Sequence, residues 1–94
     1  MVRISDEYPK RLPGKLKQIR EALGFNQKQM ADALTLPNYT VRQDNVSKYE
    51  ARKQQPPLTV MLQYGRLVNL SMDFIVDDRL DLPKKLPANR TTTS

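Results

Sequence analysis

Apolar residues in this chain recur three or four positions apart in short stripes, and the first three stripes are closed by a glycine or a proline. Leu16, Ile19 and Leu23 form the first stripe, followed by Gly24; Met30, Ala31 and Leu34 form the second, followed by Pro37. Val46 and Tyr49 share one face of a third, which ends in "ARKQQPP", and Leu58, Met61, Leu62, Gly65 and Val68 make a fourth. This spacing is the helical one, and it puts each set on a single face. Hydrophobic content of 38% with six aromatics and no Trp also fits a small helical domain better than a sheet sandwich. The fold class expected is therefore all-α.

Local chemistry marks several boundaries. Pro13 suits the first position of a helix, where its missing N–H costs nothing. Gly24 should end that helix in the left-handed conformation. Asn26 is a good N-cap, and Gln29 three residues later can complete a capping box. Ala31 is small where a following helix would cross closely, although helix propensity alone also accounts for it. Gly65, costly inside a helix, implies a close helix contact. A short fifth helix follows, with Ser71 as N-cap, Asp73 in its first turn and Met72, Phe74, Ile75 and Val76 as apolar positions. Residues 1–13 read as an arm, 14–78 as the folded domain and 79–94 as a flexible tail whose Leu80, Leu82 and Leu86 can dock on a surface.

Size and composition exclude much. Ninety-four residues make one domain, too small for a substrate-enclosing core. No apolar run approaches the ~20 residues of a membrane span, and no signal-peptide core is visible, so a cytoplasmic protein without membrane contact is expected. Without Cys or His there are no disulfides, no usual zinc ligands and no imidazole acid–base. There is no glycine-rich phosphate loop, and Asp77–Asp78 read as adjacent solvated acids that do not face each other. Neither catalysis, metal nor cofactor is expected.

Charge points to a partner. The net charge is +6, and residues 1–68 hold twelve Lys/Arg against six Asp/Glu while residues 69–94 hold four of each. A basic surface on one part of a small domain suits a polyanion, nucleic acid before membrane. The scattered Tyr8, Tyr39 and Tyr64 form no stacking platform for single strands, which favours duplex DNA over RNA.

Between the second and third stripes lies "TLPNYTVRQDN", residues 35–45. Pro37 stops the second helix, Asn38 favours a turn, and Thr40 with Gln43 offers another capping box, so the third helix starts between Thr40 and Asp44. With Val46 and Tyr49 inward, Asp44, Ser47, Lys48 and Arg52 turn outward and Gln43 lies at the exposed N-terminal edge. A helix that reads the major groove needs polar side chains at that end and a second helix to brace it. Gln can bridge adenine, and Lys or Arg can donate to guanine. The start of the second helix, with Gln27 and Lys28, suits a phosphate, and Arg52 and Lys53 can hold the backbone on the other side. An ordinary solvated face carries the same residue types.

The stretches "LKQIREALGFNQKQMADAL", "VSKYEARKQQP" and "PLTVMLQYGRLVNLSMDFIV" resemble the Cro/repressor-type helix-turn-helix family, also called the xenobiotic-response-element (XRE) family of bacterial and phage regulators. Arg20, Gly24, Gln27, Ala31, Val46, Ser47, Tyr49, Glu50 and Pro56 follow its order over Leu16 to Val76. The resemblance implies a compact five-helix, lambda-repressor-like domain, usually dimeric on operator DNA, and a transcriptional regulator as the function. It implies Gln43, Asp44, Ser47 and Lys48 at base edges and Gln27 on a phosphate, with Lys28, Arg42, Arg52 and Lys53 as further phosphate candidates. Two departures stand out. The turn is some five residues longer than the family's, so Leu36 or Val41 is expected to plug the core from it. Asp44 brings a carboxylate towards phosphates, and it must accept from a cytosine amino group or cap the helix.

Two alternatives remain at the level of sequence. One is the antitoxin of a toxin–antitoxin pair, with the leucines of the tail folding on a protein partner; the other is a helical protein-interaction module without DNA. A homodimer would find contacts in Met72, Phe74, Ile75 and the tail, although core packing also explains Phe74 and Ile75. Arg3, Lys10 and Arg11 of the arm can reach a minor groove or simply fray.

Overall fold

Helix caps and turns divide the chain into five helices in a computed structural model that describes residues 9–83: α1 (Leu12–Ala22), α2 (Gln27–Leu34), α3 (Gln43–Glu50), α4 (Leu58–Leu67) and α5 (Met72–Val76). The expectations for Arg3, Tyr8 and Leu86 fall outside the described residues. Among those residues there is no strand, only an isolated antiparallel bridge between Leu36 and Tyr39. The all-α, five-helix architecture expected from the stripes is the one observed.

Three of the helices end in one motif. Gly24 has φ +74°, its N–H donates to Glu21 O, and Phe25 N–H donates to Arg20 O at 3.2 Å. Arg52 (φ 61°) and Asn69 (φ 57°) take the same left-handed position after α3 and α4, with Lys53 N–H reaching Lys48 O and Leu70 N–H reaching Gly65 O. These bonds satisfy carbonyls that a helix end otherwise leaves open. The last of them explains Gly65: a Cβ there would lie 2.7 Å from Leu70 O and 3.3 Å from Ile75 Cδ1. The close contact is with the chain turning back into α5.

At the start of α2 the capping box forms in full, Gln29 N–H to Asn26 Oδ1 and Asn26 N–H to Gln29 Oε1, each 2.8 Å. Elsewhere the caps differ from expectation. Helix α1 begins at Leu12, so Pro13 is its second residue, and both are buried. Thr40 does not cap α3; Arg42 holds the cap position, and its N–H donates to Asn45 Oδ1 at 3.0 Å. Ser71 is the N-cap of α5 by backbone geometry, but its hydroxyl makes no capping bond.

The core gathers Leu12, Leu16 and Ile19 of α1, Met30 and Leu34 of α2, and Val46 and Tyr49 of α3, all with no exposed surface. Ala31 is buried with them, 2% exposed. On α4 the buried face is Val60, Met61, Tyr64, Gly65 and then Val68 in its C-cap, whereas Leu58 and Leu62 are 60% and 38% exposed. Of the expected stripe, Met61, Gly65 and Val68 thus face the core, while Leu58 and Leu62 turn away and Val60 and Tyr64 take their place. Two apolar sets lie on neighbouring faces of α4, and burying the Tyr64 ring removes more apolar surface than burying Leu62. Ile75 of α5 is wholly buried, which removes it as a dimer contact; Met72, Phe74 and Val76 pack against the core from its edge.

The long turn is a built part of this unit. Pro37 and Asn38 form the tip of a tight reversal in which Leu36 and Tyr39 exchange both backbone bonds, 2.9 and 3.1 Å. The Thr35 hydroxyl accepts from Val41 N–H at 3.0 Å and lies 3.0 Å from Ala31 O, to which it donates. Val41 is the residue that plugs the core, at 3% exposed, while Leu36 stays half-buried.

The first and last helices hold each other's ends. Lys15 is 2% exposed, and its ammonium donates to Phe74 O and Asp77 O, at 2.7 and 2.8 Å, at the C-terminus of α5. A cation belongs there, where helix carbonyls converge. Burial pulls the Lys15 pKa below its usual value; neighbouring Arg11 adds to this, and Asp78, Asp77 and Asp81 oppose it. In return the Asp78 carboxylate accepts from the backbone N–H groups of Lys10 and Arg11, 2.8 and 2.9 Å, at the start of α1. Arg11 also donates to Asp78 O and pairs with Asp81. Asp78 is therefore a cap for α1 rather than a solvated acid, and Lys10 and Arg11 are tied to the domain rather than frayed. Asp77 is half-buried and paired with Arg79, whose side-chain hydrogen bond and backbone N–H hold the carboxyl down to about 2. Leu82, in the segment expected to be a loose tail, docks on the core at 9% exposed.

Candidate nucleic-acid interface

The outward face of α3 follows from its inward one. Val46 and Tyr49 anchor the helix in the core, so Gln43, Asp44, Ser47 and Lys48 emerge on the opposite side, all exposed. Gln43 is the first helical residue, within the window expected for the start of α3. Asn45 faces neither way: its amide closes the Arg42 N–H and donates to Gln54 Oε1 at 3.2 Å, tying the start of α3 to the loop after it.

Gln43, Asp44 and Ser47 line one open depression together with Arg42 and, from α2, Gln27. Five of the nine residues singled out from the sequence thus meet at one place. Lys48 adjoins it through Asp44, 3.8 Å away. Lys28 stands on the exposed side of α2, 3.8 Å from Asp32. Arg52 and Lys53 lie past the other end of α3, outside the depression, because the helix ends at Glu50 and Arg52 takes the left-handed turn instead of the helical face.

Beneath this surface is a network that links three helices. Glu50 receives Arg20 Nε at 2.7 Å and Nη2 at 3.1 Å, and its Oε1 also accepts from Gln27 Nε2 at 3.3 Å. The third guanidinium nitrogen of Arg20, Nη1, donates to Phe25 O at 3.0 Å, inside the turn between α1 and α2. The pair is largely buried, with side chains 14% and 6% exposed. The hydrogen bond from Arg20 to Glu50 raises the Arg20 pKa further above its usual value, which keeps the guanidinium charged. One amide hydrogen of Gln27 is committed to Glu50, and its second donor remains for a ligand at the surface. The network sets the side chain of α2 against the exposed end of α3. Spacing alone could not place it, because its members lie 23 and 30 residues apart.

Electrostatically the face is mixed. Asp44 lies 3.5 Å from Arg42 Nε as well as 3.8 Å from Lys48 Nζ. Among the described residues no group of His, Cys, Asp or Glu is arranged to hold a metal ion, and no helix is long and apolar enough to cross a membrane.

This arrangement, a braced helix with its polar end outward after an anchored turn, defines the helix-turn-helix class. The helix-turn-helix family model matches residues 16–75, and the chain belongs to that family. It is similar to the HTH-type transcriptional regulator ImmR of Bacillus subtilis (strain 168), 31% identical over 62 residues, covering 66% of this chain and 45% of ImmR. The chain therefore spans less than half the length of that relative. No solved structure matches it.

Proposed function

We propose that the chain is a sequence-specific double-stranded DNA-binding protein acting as a transcriptional regulator in the cytoplasm, a binding protein and not an enzyme. The observation that carries this reading is the single depression that unites the exposed N-terminal end of α3 with Gln27 of α2. A helix end entering the major groove needs base-facing polar groups and backbone contacts on its flank, and this geometry offers both. Gln43, Asp44, Ser47 and Lys48 face base edges; Gln27, Lys28, Arg42, Arg52 and Lys53 face phosphates. The similarity to ImmR supports the regulatory role.

Two substitutions separate the two kinds of contact. Lys48→Ala relaxes base preference, with a cost of about 1–3 kcal/mol at the cognate site. Gln27→Ala weakens all sequences alike. Oligonucleotides selected from a random pool supply the cognate site, and a titration giving equal affinity for selected and random DNA at moderate salt refutes sequence-specific binding. A homodimer on half-sites about 34 Å apart is the assembly that gives a single small domain useful affinity. Sedimentation that shows a monomer with and without operator DNA excludes it.

A further inference from the structure

Asp44 has the wrong charge for a polyanion, yet it stands on the outermost face of α3, 60% exposed. Two of that face's cations share its carboxylate, Arg42 at 3.5 Å and Lys48 at 3.8 Å. Its contribution to stability is small, that of an exposed acid in the first turn of a helix. Exposed pairs of this kind contribute little, and the side chain that bonds the Arg42 N–H at the start of the helix is Asn45, not Asp44. Its position in the depression beside Gln27, Gln43 and Ser47 places it on the surface that meets DNA.

We propose that Asp44 sets the selectivity of this interface: it holds Arg42 and Lys48 in ion pairs that non-cognate DNA must break without compensation, and it releases them where a cytosine amino group binds the carboxylate. The inference rests on the DNA-binding reading and adds a discriminating mechanism to it. Most atoms on the floor of the major groove are acceptors, namely guanine O6 and N7, adenine N7 and thymine O4. A carboxylate meeting them, with phosphates on either side, is repelled. Cytosine N4 offers a donor without a neighbouring acceptor on its own edge, and it is the base that an Asp pairs with. Once the carboxylate is engaged there, Lys48 can donate to a guanine and Arg42 to a phosphate. Asp44 thus lowers affinity for DNA in general and restores it at one class of site.

The test uses the full chain, Asp44→Ala and Asp44→Asn, with DNA selected from a random pool and with random duplex titrated over a range of salt. The wild type should select cytosine at one fixed position. Asp44→Ala should leave that position without preference, and Asp44→Asn should shift it towards adenine, which Asn reads. For random duplex, each cation released to a phosphate steepens the salt slope by about 0.9, and freeing it from so exposed a pair raises affinity by up to about fivefold. The proposal predicts one or two such increments in Asp44→Ala, and so a smaller ratio of cognate to random affinity. A ratio that stays constant, or a selected site that is identical in all three proteins, overturns the role of Asp44 while DNA binding stands. Failure of the wild type to bind any duplex at low salt overturns the DNA-binding reading itself.

Discussion

Removing the Glu50 carboxylate asks whether the network beneath α3 holds the interface in place. Glu50 and Arg20 meet through contacts of 2.7 and 3.1 Å, with side chains 6% and 14% exposed. At an effective dielectric of ~20, charges ~3 Å apart attract by about 5–6 kcal/mol, and desolvation of both groups cancels part of it. Glu50→Ala leaves the guanidinium with its bond to Phe25 O but without its paired carboxylate, Glu21 being the weaker charge that remains nearby. Such an uncompensated charge costs roughly 3–5 kcal/mol when buried, and the residual exposure of Arg20 favours the lower end, about 3 kcal/mol. At ~4–8 °C per kcal/mol for a domain of this size, the melting temperature falls by about 12–24 °C. Replacing both partners with apolar residues, Arg20→Met with Glu50→Leu, removes the stranded charge, so the double variant should melt within a few degrees of wild type. Its Gln27, however, has lost its acceptor, and affinity for every DNA sequence should fall. Thermal melts followed by circular dichroism, together with DNA titrations, read both effects. A double variant that melts as low as the two single losses added together refutes the coupling. One that folds and binds DNA as tightly as wild type refutes the positioning of Gln27.

Three further outcomes follow from the fold. Gly65→Ala gains about 1 kcal/mol of helix propensity, but its methyl meets the Leu70 carbonyl at 2.7 Å; overpacking of about 1–3 kcal/mol should leave a lower melting temperature, checked by thermal melts. Val41→Ala, which removes two buried methyl groups, should cost about 1.5–3 kcal/mol in urea unfolding, and Leu36→Ala clearly less, because Val41 and not Leu36 fills the core. Asp77 and Asp78 have carboxyls held below the usual 3.8, Asp77 at about 2. A depressed acid contributes its stability fully above the unfolded value and loses it as pH falls through the folded one; melting temperature should therefore decline between pH 4 and 2, and less steeply in Asp78→Asn.

The parts of this fold that were legible in the sequence are those decided by local chemistry. Gly24 at a left-handed helix end, and Asn26 with Gln29 in a reciprocal cap, need only their neighbours to be understood. The outward phase of Asp44, Ser47 and Lys48 follows from Val46 and Tyr49 in the same two turns. What was not legible depends on distant partners. Lys15 looks like any polar residue between Leu12 and Leu16 until the carbonyls of α5 arrive to bind it. The apolar face of α4 has two phases in sequence, and packing selects the one through Val60 and Tyr64. Arg42 has no preferred capping side chain, so the start of α3 is fixed by Asn45, three residues into the helix. In the interface, Gln27 and Glu50 each fit a motif, but their hydrogen bond belongs to the assembled helices.

The exchange of caps between α1 and α5 joins residues 59 to 70 positions apart. Contacts that far apart close longer loops than the helical bonds do, so this seam is expected to form late on folding. Weakening it should speed unfolding more than it slows folding. The two ends of the described domain are thus buckled to each other, and trimming back through Asp78 should loosen the start of α1 as well.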